Sequence, residues 1–316
     1  MQQILTIVLI CTLLTHVQRS AGGDDVMWKQ VHHVELDSPE DLEHWQLEGA
    51  GEAAVTEQGE LRVTNRQEVI DGVETQGSVM WYRRPFWGDV RLEFDCRAEP
   101  QSRAILFFNA RATGDDRNLF AWERPRALYE DYAFEPRTEL YTIGLLRSDE
   151  GVLNLRRLGG QIKPEWMEVL AYHPSLFPQR YLTAEEMVAA ARAAGVETLP
   201  ERMDEMRKVT SHEAFREALK PHLARWRQVD ASFQEASIVS RYAGRRPVFE
   251  DPQHVYRVRV TTLGNNVTVE VDGQTIIDFG ETQREPLRGG YFGFRNFRAT
   301  SAWYSNIRIY ERAEQE

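Results

Sequence analysis

The sequence predicts a mainly β fold, an antiparallel sandwich of two sheets that carries one helical insertion. Three observations indicate this fold. The closing segment, residues 289–310, reads GGYFGFRNFRATSAWYSNIRIY and alternates aromatic or apolar positions with polar ones on both sides of a polar bend. Short alternating segments bounded by turn residues recur at the spacing of sandwich strands. Residues 161–251 break this period, because capping and amphipathic patterns replace the alternation there.

Residues 1–22 are predicted to be a cleaved signal peptide. The apolar run from Ile4 to Val17 is short for a membrane span, and the small residues 20–23 follow it. We therefore expect a secreted or periplasmic protein without an integral membrane span. A buried N-terminal strand is the alternative for the same run. Once the signal is removed, Cys96 is the one cysteine left, so no intramolecular disulfide can form.

Residues 23–160 and 252–316 are predicted to form the sandwich. The first part contains AAVTEQGELRVTN, SVMWYRR, DVRLEFDCRA, AILFFNARA, YTIGLLR and VLNLRRL, with a charged and aromatic excursion at 115–136. The second part contains HVYRVRVTTLGNNVTVEVDGQTIIDFG, which turns at 264–266 and at Asp272-Gly273 divide into three strands. A sandwich domain reaches about 200–250 residues. One domain with an insertion therefore accounts for the 316 residues.

Residues 161–251 are predicted to be a mostly helical insertion. Thr183 and Glu186 form a capping box, and Gly195 ends the helix that this box begins. A later amphipathic stripe around Trp226 is expected to pack against the sandwich rather than to bind a partner.

Composition and absent motifs exclude several classes of function. The net charge of −11 argues against DNA or RNA as a partner, since phosphate binding needs a basic surface. The sequence has no phosphate-binding glycine loop, dinucleotide fingerprint, HExxH, paired CxxC or Gly-x-Ser-x-Gly elbow. His32 and His33 face opposite ways on an extended segment, which does not favour a metal site. No cofactor is predicted, and a structural calcium ion is left open.

Strand parity collects polar side chains on faces opposite their apolar neighbours. Phe292 and Phe294 are expected to point one way, and Tyr291, Gly293 and Arg295 the other. The substrate-binding candidates are Asn109, Arg111, Tyr129, Arg147, Asn154, Arg156 and Arg295. Arginine binds carboxylate or sulfate, asparagine binds hydroxyl groups, and tyrosine stacks on sugar rings. This set favours a polysaccharide or oligosaccharide partner of acidic character, and the alternative is that these residues are only the solvated face of a sandwich.

The order and spacing of several motifs carry a resemblance to a known family. The motifs are HWQLEGAGEAAV (44–55), ILFFNARATGDD (105–116), the tyrosines 129 and 132, YTIGLLRS (141–148), NLRRLGG (154–160), YRVRVTTLGNNVTVEVDGQTIIDF (256–279) and PLRGGYFGFRNF (286–297). Together they resemble the YesU-like proteins, a domain of unknown function in the concanavalin-A-like jelly-roll group. The resemblance implies a two-sheet jelly roll with a concave face and a link to polysaccharide use. The insertion after NLRRLGG departs from compact members of that group.

Cleavage of an acidic polysaccharide is the favoured function, with lyase chemistry slightly ahead of hydrolysis. β-Elimination needs a neutralised uronate carboxylate and removal of the C5 proton. The arginine and asparagine candidates serve the first need, and Tyr141, Tyr291 or His254 serves the second as the base. Hydrolysis needs two carboxyl groups about 5–10 Å apart, and the sequence shows no recognisable pair.

A non-catalytic, lectin-like glycan-binding module is the alternative from another class of protein. The tryptophans Trp81, Trp87 and Trp122 favour it if they line a groove, because aromatic rings stack on sugars.

Overall fold

The computed structural model describes most of the sandwich. The described residues are 26–66, 69–70, 73–74, 77–100, 102–115, 117–121, 132, 137–146, 153–159, 231–233, 235–242, 248–249, 251, 253–297 and 300–313. The predicted signal peptide and most of the predicted helical insertion lie outside these residues.

The described residues include eighteen strands and a short 3-10 helix, Pro39–His44. The strands are β1 Trp28–His33, β2 Trp45–Gly49, β3 Gly51–Val55, β4 Leu61–Asn65, β5 Val69–Ile70, β6 Val73–Glu74, β7 Gly77–Tyr82, β8 Phe86–Trp87, β9 Val90–Ala98, β10 Arg103–Ala112, β11 Thr138–Leu145, β12 Leu153–Gly159, β13 Ile238–Tyr242, β14 Tyr256–Leu263, β15 Asn266–Val271, β16 Gln274–Gly280, β17 Gly289–Phe297 and β18 Ser301–Arg312.

The long strands build two antiparallel sheets. The first has the order β16-β15-β14-β9-β18-β4-β3, with β1 also paired to β18. The second has the order β13-β12-β11-β10-β17-β7-β2, with β8 also paired to β17. This arrangement confirms the predicted fold class, a mainly β sandwich of two antiparallel sheets.

The two strands of the closing segment belong to different sheets. β17 lies between β10 and β7 in the second sheet, whereas β18 lies between β9 and β4 in the first. The polar bend between them therefore crosses from one sheet to the other, and the segment is not a hairpin. One consequence is that both layers of the sandwich are tied together by the last strands of the chain.

The core fills the space between the sheets with aromatic and aliphatic side chains. Phe294 of β17 stacks on Tyr304 of β18 with ring centres 3.8 Å apart, and Phe94 of β9 contacts the edge of Phe294. Phe292 lies in the same core, against Trp45. The predicted inward direction of Phe292 and Phe294 is thus confirmed. Burial of each such ring stabilises the fold by about 1.5–3 kcal/mol.

Sequence signals for turns and for the lone cysteine also match the structure. Asp272 and Gly273 join β15 to β16 with φ of 50° and 79°, the positive values that a tight hairpin turn requires. Cys96 is buried in the core, and burial raises the pKa of its thiol, so it is unreactive in the folded protein.

One strand lies inside the segment that the sequence assigns to the insertion. β13 pairs with β12 and forms the edge of the second sheet, and residues 231–233 and 235–236 just before it are helical. The sandwich therefore resumes before residue 252.

Candidate functional site

The candidate site lies on the face of the second sheet that points away from the first sheet, here called the outer face. Strand register sets two rows of residues across it. The first row is Gln46, Trp81, Gly293, Phe107, Thr142 and Arg156. The second row is Glu48, Val79, Arg295, Ile105 and Gly144. Polar, charged and aromatic side chains alternate here with the core side chains of the same strands.

Glu48 accepts two hydrogen bonds on one carboxylate oxygen. Its Oε2 accepts from Nε1 of Trp81 at 3.1 Å and from the phenol of Tyr132 at 2.5 Å. Glu48 is 5% exposed, and the other two side chains are fully buried. A buried carboxylate is costly unless it is hydrogen-bonded, so these two donors hold it in one position.

The sequence did not single out Glu48, and its position explains why. It lies on the edge strand β2, where an acidic residue usually faces solvent. Its partner Tyr132 is 84 residues away along the chain. The alternation along β2 predicts only that Glu48 and Gln46 point to the same face. It does not predict that Tyr132 hydrogen-bonds to Glu48 there.

Three aromatic rings pack against one another beside Glu48. Trp81 contacts Phe107 and Tyr132 at centre distances of 5.6 and 5.9 Å, and Phe107 contacts Tyr132 at 4.9 Å. The indole of Trp81 also lies over Gly293, because a Cβ on that glycine would be 2.6 Å from the ring. The Trp81 ring therefore covers Gly293, so Gly293 is not available to contact a ligand.

Arg295 lies on the outer face, as its parity predicts, but it is 2% exposed. It pairs in register with Val79, which pairs on its other side with Glu48. The Cα atoms of Arg295 and Glu48 are thus two strand spacings apart, about 10 Å. A buried guanidinium and a buried carboxylate therefore lie on the same face of the sheet.

Asn154 and Arg156 lie two residues apart on β12, at the other side of the sheet. Both are half-buried, and Arg156 donates from Nη1 to Oγ of Ser237 at 2.6 Å. The side-chain oxygen of Asn154 has no hydrogen-bond partner among the residues that the structure describes. This end of the face is closer to solvent than the Glu48 end.

Asn109 and Arg111 do not join the outer face. The pairing of β10 shifts after Phe108, and Asn109 has a φ of 50°, so a bulge redirects the strand. Nδ2 of Asn109 donates across the sandwich to Thr262 Oγ1 at 2.9 Å and to the carbonyl of Leu287 at 2.7 Å. Asn109 is therefore a link between the sheets, contrary to the alternation expected from the sequence.

Arg111 belongs to an ionic network between the sheets. It donates to Glu139, which also pairs with Arg157 at 3.4 Å, and Arg157 pairs with Glu281 at 3.0 Å. The Arg157 and Glu281 side chains are 3% and 4% exposed. Burial raises the pKa of Glu281, but hydrogen bonds from the backbone of Gln283 and from Arg157 outweigh it, so the pKa is lowered overall.

Two of the three candidate bases are placed away from the outer face. Tyr141 is fully buried between the sheets, and burial raises the pKa of its phenol, so it does not reach a polysaccharide. Its parity is that of the core residues Ile143 and Leu145. His254 is exposed beside the first sheet, where its Nε2 lies 3.0 Å from Oδ2 of Asp272 in the β15–β16 turn.

Tyr291 is the candidate base that does lie on the outer face. It is 7% exposed, and its ring contacts the edges of Phe120 and Trp87 at 5.0 and 6.4 Å. Tyr129 and Arg147 lie outside the described residues, as does Trp122.

Other features of the described residues concern a small cavity, metal binding and membrane spans. A cavity of about 20 Å³ between the sheets, lined in part by Phe108, Val260 and Phe292, has room for about one water molecule. No group of three or more His, Cys, Asp or Glu side chains in the described part is arranged to hold a metal ion. In the same residues, no helix is long and apolar enough to cross a membrane.

Solved structures resemble this sandwich. A Bacillus subtilis protein of unknown function with a galectin-like fold is 14% identical, with 92% of this chain and 100% of that chain covered and a TM-score of 0.57. The carbohydrate-binding module CBM66 from Bacillus subtilis is 11% identical, with 85% and 96% covered and a TM-score of 0.41. The exoplasmic/lumenal domain of VIP36, solved with Ca²⁺ and Man3GlcNAc, is 11% identical, with 92% of both chains covered and a TM-score of 0.46.

Comparison at the level of sequence families gives a narrower result. No curated protein matches the chain. The model of the 3-keto-alpha-glucoside-1,2-lyase-like domain matches residues 34–310, which include the whole second sheet and all but β1 and the end of β18 in the first. Because this match extends over most of the chain, the protein belongs to the 3-keto-alpha-glucoside-1,2-lyase-like domain family.

Proposed function

We propose that the protein cleaves a 3-keto glucoside by elimination on the outer face of the second sheet. The family description supports the reaction class. The observation that carries the proposal to particular residues is the hydrogen-bonded Glu48, Trp81 and Tyr132 cluster on the same face as Arg295. A carboxylate, a phenol and a guanidinium are the groups that an elimination beside a ketone needs.

The chemistry follows from the ketone. A carbonyl at C3 makes the proton on C2 acidic, because the electron pair left on C2 spreads to the C3 oxygen as an enolate. The enolate then forms the C1=C2 double bond, the C1–O bond to the leaving group breaks, and the leaving oxygen takes a proton. The reaction therefore needs a base near C2, a positive group near the C3 oxygen and a proton donor near the leaving oxygen.

Glu48 is the proposed proton acceptor, directly or through the phenol of Tyr132 that is bonded to it. Arg295 is the proposed cation that stabilises the enolate, since a guanidinium stays charged at any ordinary pH. Both side chains are buried, so their electrostatic effect is stronger than in water. The same burial means that the side chains around Glu48 and Arg295 must move when substrate binds.

This reaction replaces the acidic polysaccharide that the sequence suggested with a ketone substrate. In both cases a base removes a proton next to an electron-withdrawing group, but the 3-keto group needs no uronate carboxylate. Hydrolysis by a carboxyl pair is less favoured, because Glu48 is the one carboxylate in the two rows of the outer face. Cleavage of an acidic polysaccharide, the function that the sequence favours, is thus the less favoured enzymatic alternative.

A glycan-binding module is the second candidate function. The observation that favours it is the low exposure of Glu48 and Arg295, 5% and 2%, which leaves no open space for a sugar at the cluster as it stands. Binding would then take place at the more exposed ends of the face, where Asn154 and Arg156 lie.

One pair of substrates separates these functions. The purified protein is incubated with 4-nitrophenyl 3-keto-α-glucoside and with 4-nitrophenyl α-glucoside, and nitrophenol release is followed beside a protein-free control. The elimination mechanism predicts release from the keto compound alone. Release from both compounds indicates a hydrolase, and binding without release, measured by calorimetry, indicates a binding module. Either of these outcomes would replace the proposal.

Two further features of the sequence are part of this proposal. The motifs from residue 44 to 297 support a narrower placement with the YesU-like proteins inside the jelly-roll group.

The apolar run from Ile4 to Val17 supports export to the periplasm or out of the cell. Recovery of the protein from the periplasmic or culture fraction with its first 22 residues removed is the expected result, and recovery of the uncut chain from the cytoplasm would contradict it.

A further inference from the structure

We propose that Trp87, with Arg117 beside it, is a stacking subsite for the pyranose ring of the leaving-group sugar. This subsite rests on the proposed function, since it places the sugar that departs next to the face where cleavage is proposed. The observations that carry it are the exposure of Trp87, the way its ring is held, the adjacent guanidinium and its position on the outer face.

Among the residues that the structure describes, Trp87 is the one Phe, Tyr or Trp side chain that is exposed. Its exposed fraction is 38%, and the other large apolar residues of comparable exposure in the described part are Met27 and Val255, which have no ring. A single exposed hydrophobic residue needs no explanation by itself. An exposed ring held in one orientation does, because holding it costs conformational freedom without burying its surface.

The backbone around Trp87 is built to hold the ring. β8 pairs with β17 through Trp87 and Gly289, and a Cβ on Gly289 would be 2.2 Å from the carbonyl oxygen of Phe86. A Cβ on Gly290 would be 2.4 Å from the carbonyl oxygen of Ala110. Glycine at position 289 therefore lets β8 approach β17 this closely, and glycine at position 290 does the same for β10. The edge of Tyr291 then packs against Trp87, at a centre distance of 6.4 Å.

Arg117 supplies hydrogen-bond donors at the same ring. Its guanidinium carbon is 5.6 Å from the centre of the Trp87 ring, and the residue is exposed. The turn that carries it is fixed by hydrogen bonds from Ala112 N to Arg117 O and from Arg117 N to Gly114 O. Within the described residues, Arg117 has no carboxylate partner. The exposed side chain therefore presents hydrogen-bond donors to solvent on this side of the described structure.

A pyranose ring matches this combination. The C–H groups on one side of the ring form an apolar face that packs on an indole, while the hydroxyl groups at the rim accept hydrogen bonds from a guanidinium. A flat apolar ligand would leave Arg117 without an acceptor, and a free anion would gain nothing from Trp87. A sugar uses both residues.

The subsite lies next to the proposed site of cleavage. Tyr291, which contacts Trp87, is on the same face as Gly293 and Arg295, and four residues along β17 separate it from Arg295. Four residues of a strand span about 13 Å. A disaccharide whose keto ring lies at Arg295 and Glu48 therefore extends towards Trp87 with its second ring.

Two substrates with the same 3-keto-α-glucosyl group test this subsite. One is a 3-keto disaccharide, and the other is methyl 3-keto-α-glucoside, whose leaving group has no ring. Trp87→Ala is expected to lower kcat/KM about tenfold on the disaccharide and to leave the methyl glycoside unchanged. Trp303→Ala is the matched control, because Trp303 is a half-buried tryptophan of the first sheet with Arg97 stacked 4.3 Å from its ring centre.

The outcomes distinguish this subsite from the proposed function. An equal loss on both substrates, or no loss on either, would overturn the subsite while cleavage itself stands. If the wild-type protein cleaves neither substrate, the elimination proposal fails, and calorimetry with the intact disaccharide then decides the subsite. In that case an affinity about tenfold weaker for Trp87→Ala than for Trp303→Ala supports the subsite, and equal affinities contradict it.

Discussion

The indole of Trp81 lies against the backbone of Gly293. A Cβ atom at position 293 would be 2.6 Å from Cε3 of the indole, which is a steric clash. The two residues are neighbours in register on β7 and β17. Trp81 is fully buried there and donates its one N–H to Glu48. The glycine of the Gly-Phe-Arg motif thus fixes the donor that orients the proposed proton acceptor.

Gly293→Ala is expected to destabilise the fold by about 1–3 kcal/mol, because the new methyl group must push a buried ring out of its position. Urea unfolding followed by tryptophan fluorescence measures this change. Gly280→Ala is the control, since its nearest neighbour is the side-chain oxygen of Asn266 at 3.1 Å and not a buried ring. A Gly293 variant as stable as the Gly280 variant would contradict the tight contact.

The ion pair between Arg157 and Glu281 is expected to contribute strongly at neutral pH. Glu281→Gln leaves the Arg157 guanidinium buried with weaker partners, at a cost of about 3 kcal/mol. Glu235→Gln is the control, because Glu235 is 70% exposed in its pair with Arg241 and surface pairs contribute about 0–1 kcal/mol. Equal free energies of unfolding for the two variants would contradict a buried pair.

The free energy of unfolding is also expected to depend on pH through the ionisation of Glu281. Its folded pKa is lower than its ordinary value of 4.5, so the unfolded chain takes up the proton first as the pH falls. The contribution of Glu281 is complete above about pH 4.5 and is lost as the pH falls through the folded pKa. The free energy of unfolding of Glu281→Gln is therefore expected to fall less steeply than that of the wild type below pH 4.5, and parallel curves would be the contrary result.

His32 adds a second dependence on pH at the N-terminal strand. Its Nε2 lies 2.5 Å from the phenol of Tyr82, and burial followed by the nearby Arg84 lowers the pKa of the imidazole. The unfolded chain then binds the proton more readily, so stability should fall as the pH drops below about 6.5, by at most about 1.4 kcal/mol per pH unit. His32→Gln removes this slope between pH 6.5 and 5, whereas His44→Gln, at a side chain 61% exposed, keeps it. A wild-type slope in the His32 variant would show that another group is responsible.

The sequence predicted the sandwich, the Asp272-Gly273 turn and the facing of Phe292 and Phe294, because each depends on local alternation or on a two-residue signal. It placed Asn109 and Arg111 on the wrong face, because a bulge after Phe108 changes the parity of β10 without any mark in the pattern. Tyr141 was predicted to be a candidate base, although it has the same parity as the core residues Ile143 and Leu145.

The hydrogen-bonded cluster at the centre of the proposed site could not be predicted from the sequence. Glu48, Trp81 and Tyr132 come from distant segments, and their hydrogen bonds exist only once the sheet is assembled. Burial was equally hidden, since Arg295 has the parity of a surface residue and is nonetheless 2% exposed. The alternation along one strand predicts which face of the sheet a side chain points to. Whether another segment then buries that side chain depends on the assembled fold.

The rate of cleavage of 4-nitrophenyl 3-keto-α-glucoside by Glu48→Gln tests the central claim most directly. The amide keeps the size of Glu48 but does not accept the C2 proton, so kcat is expected to fall at least about 100-fold. Glu60→Gln, which alters a carboxylate paired with Arg97 on the first sheet, serves as the control and should keep the wild-type rate. A folded Glu48→Gln protein that cleaves the substrate as fast as the Glu60→Gln protein would contradict the account.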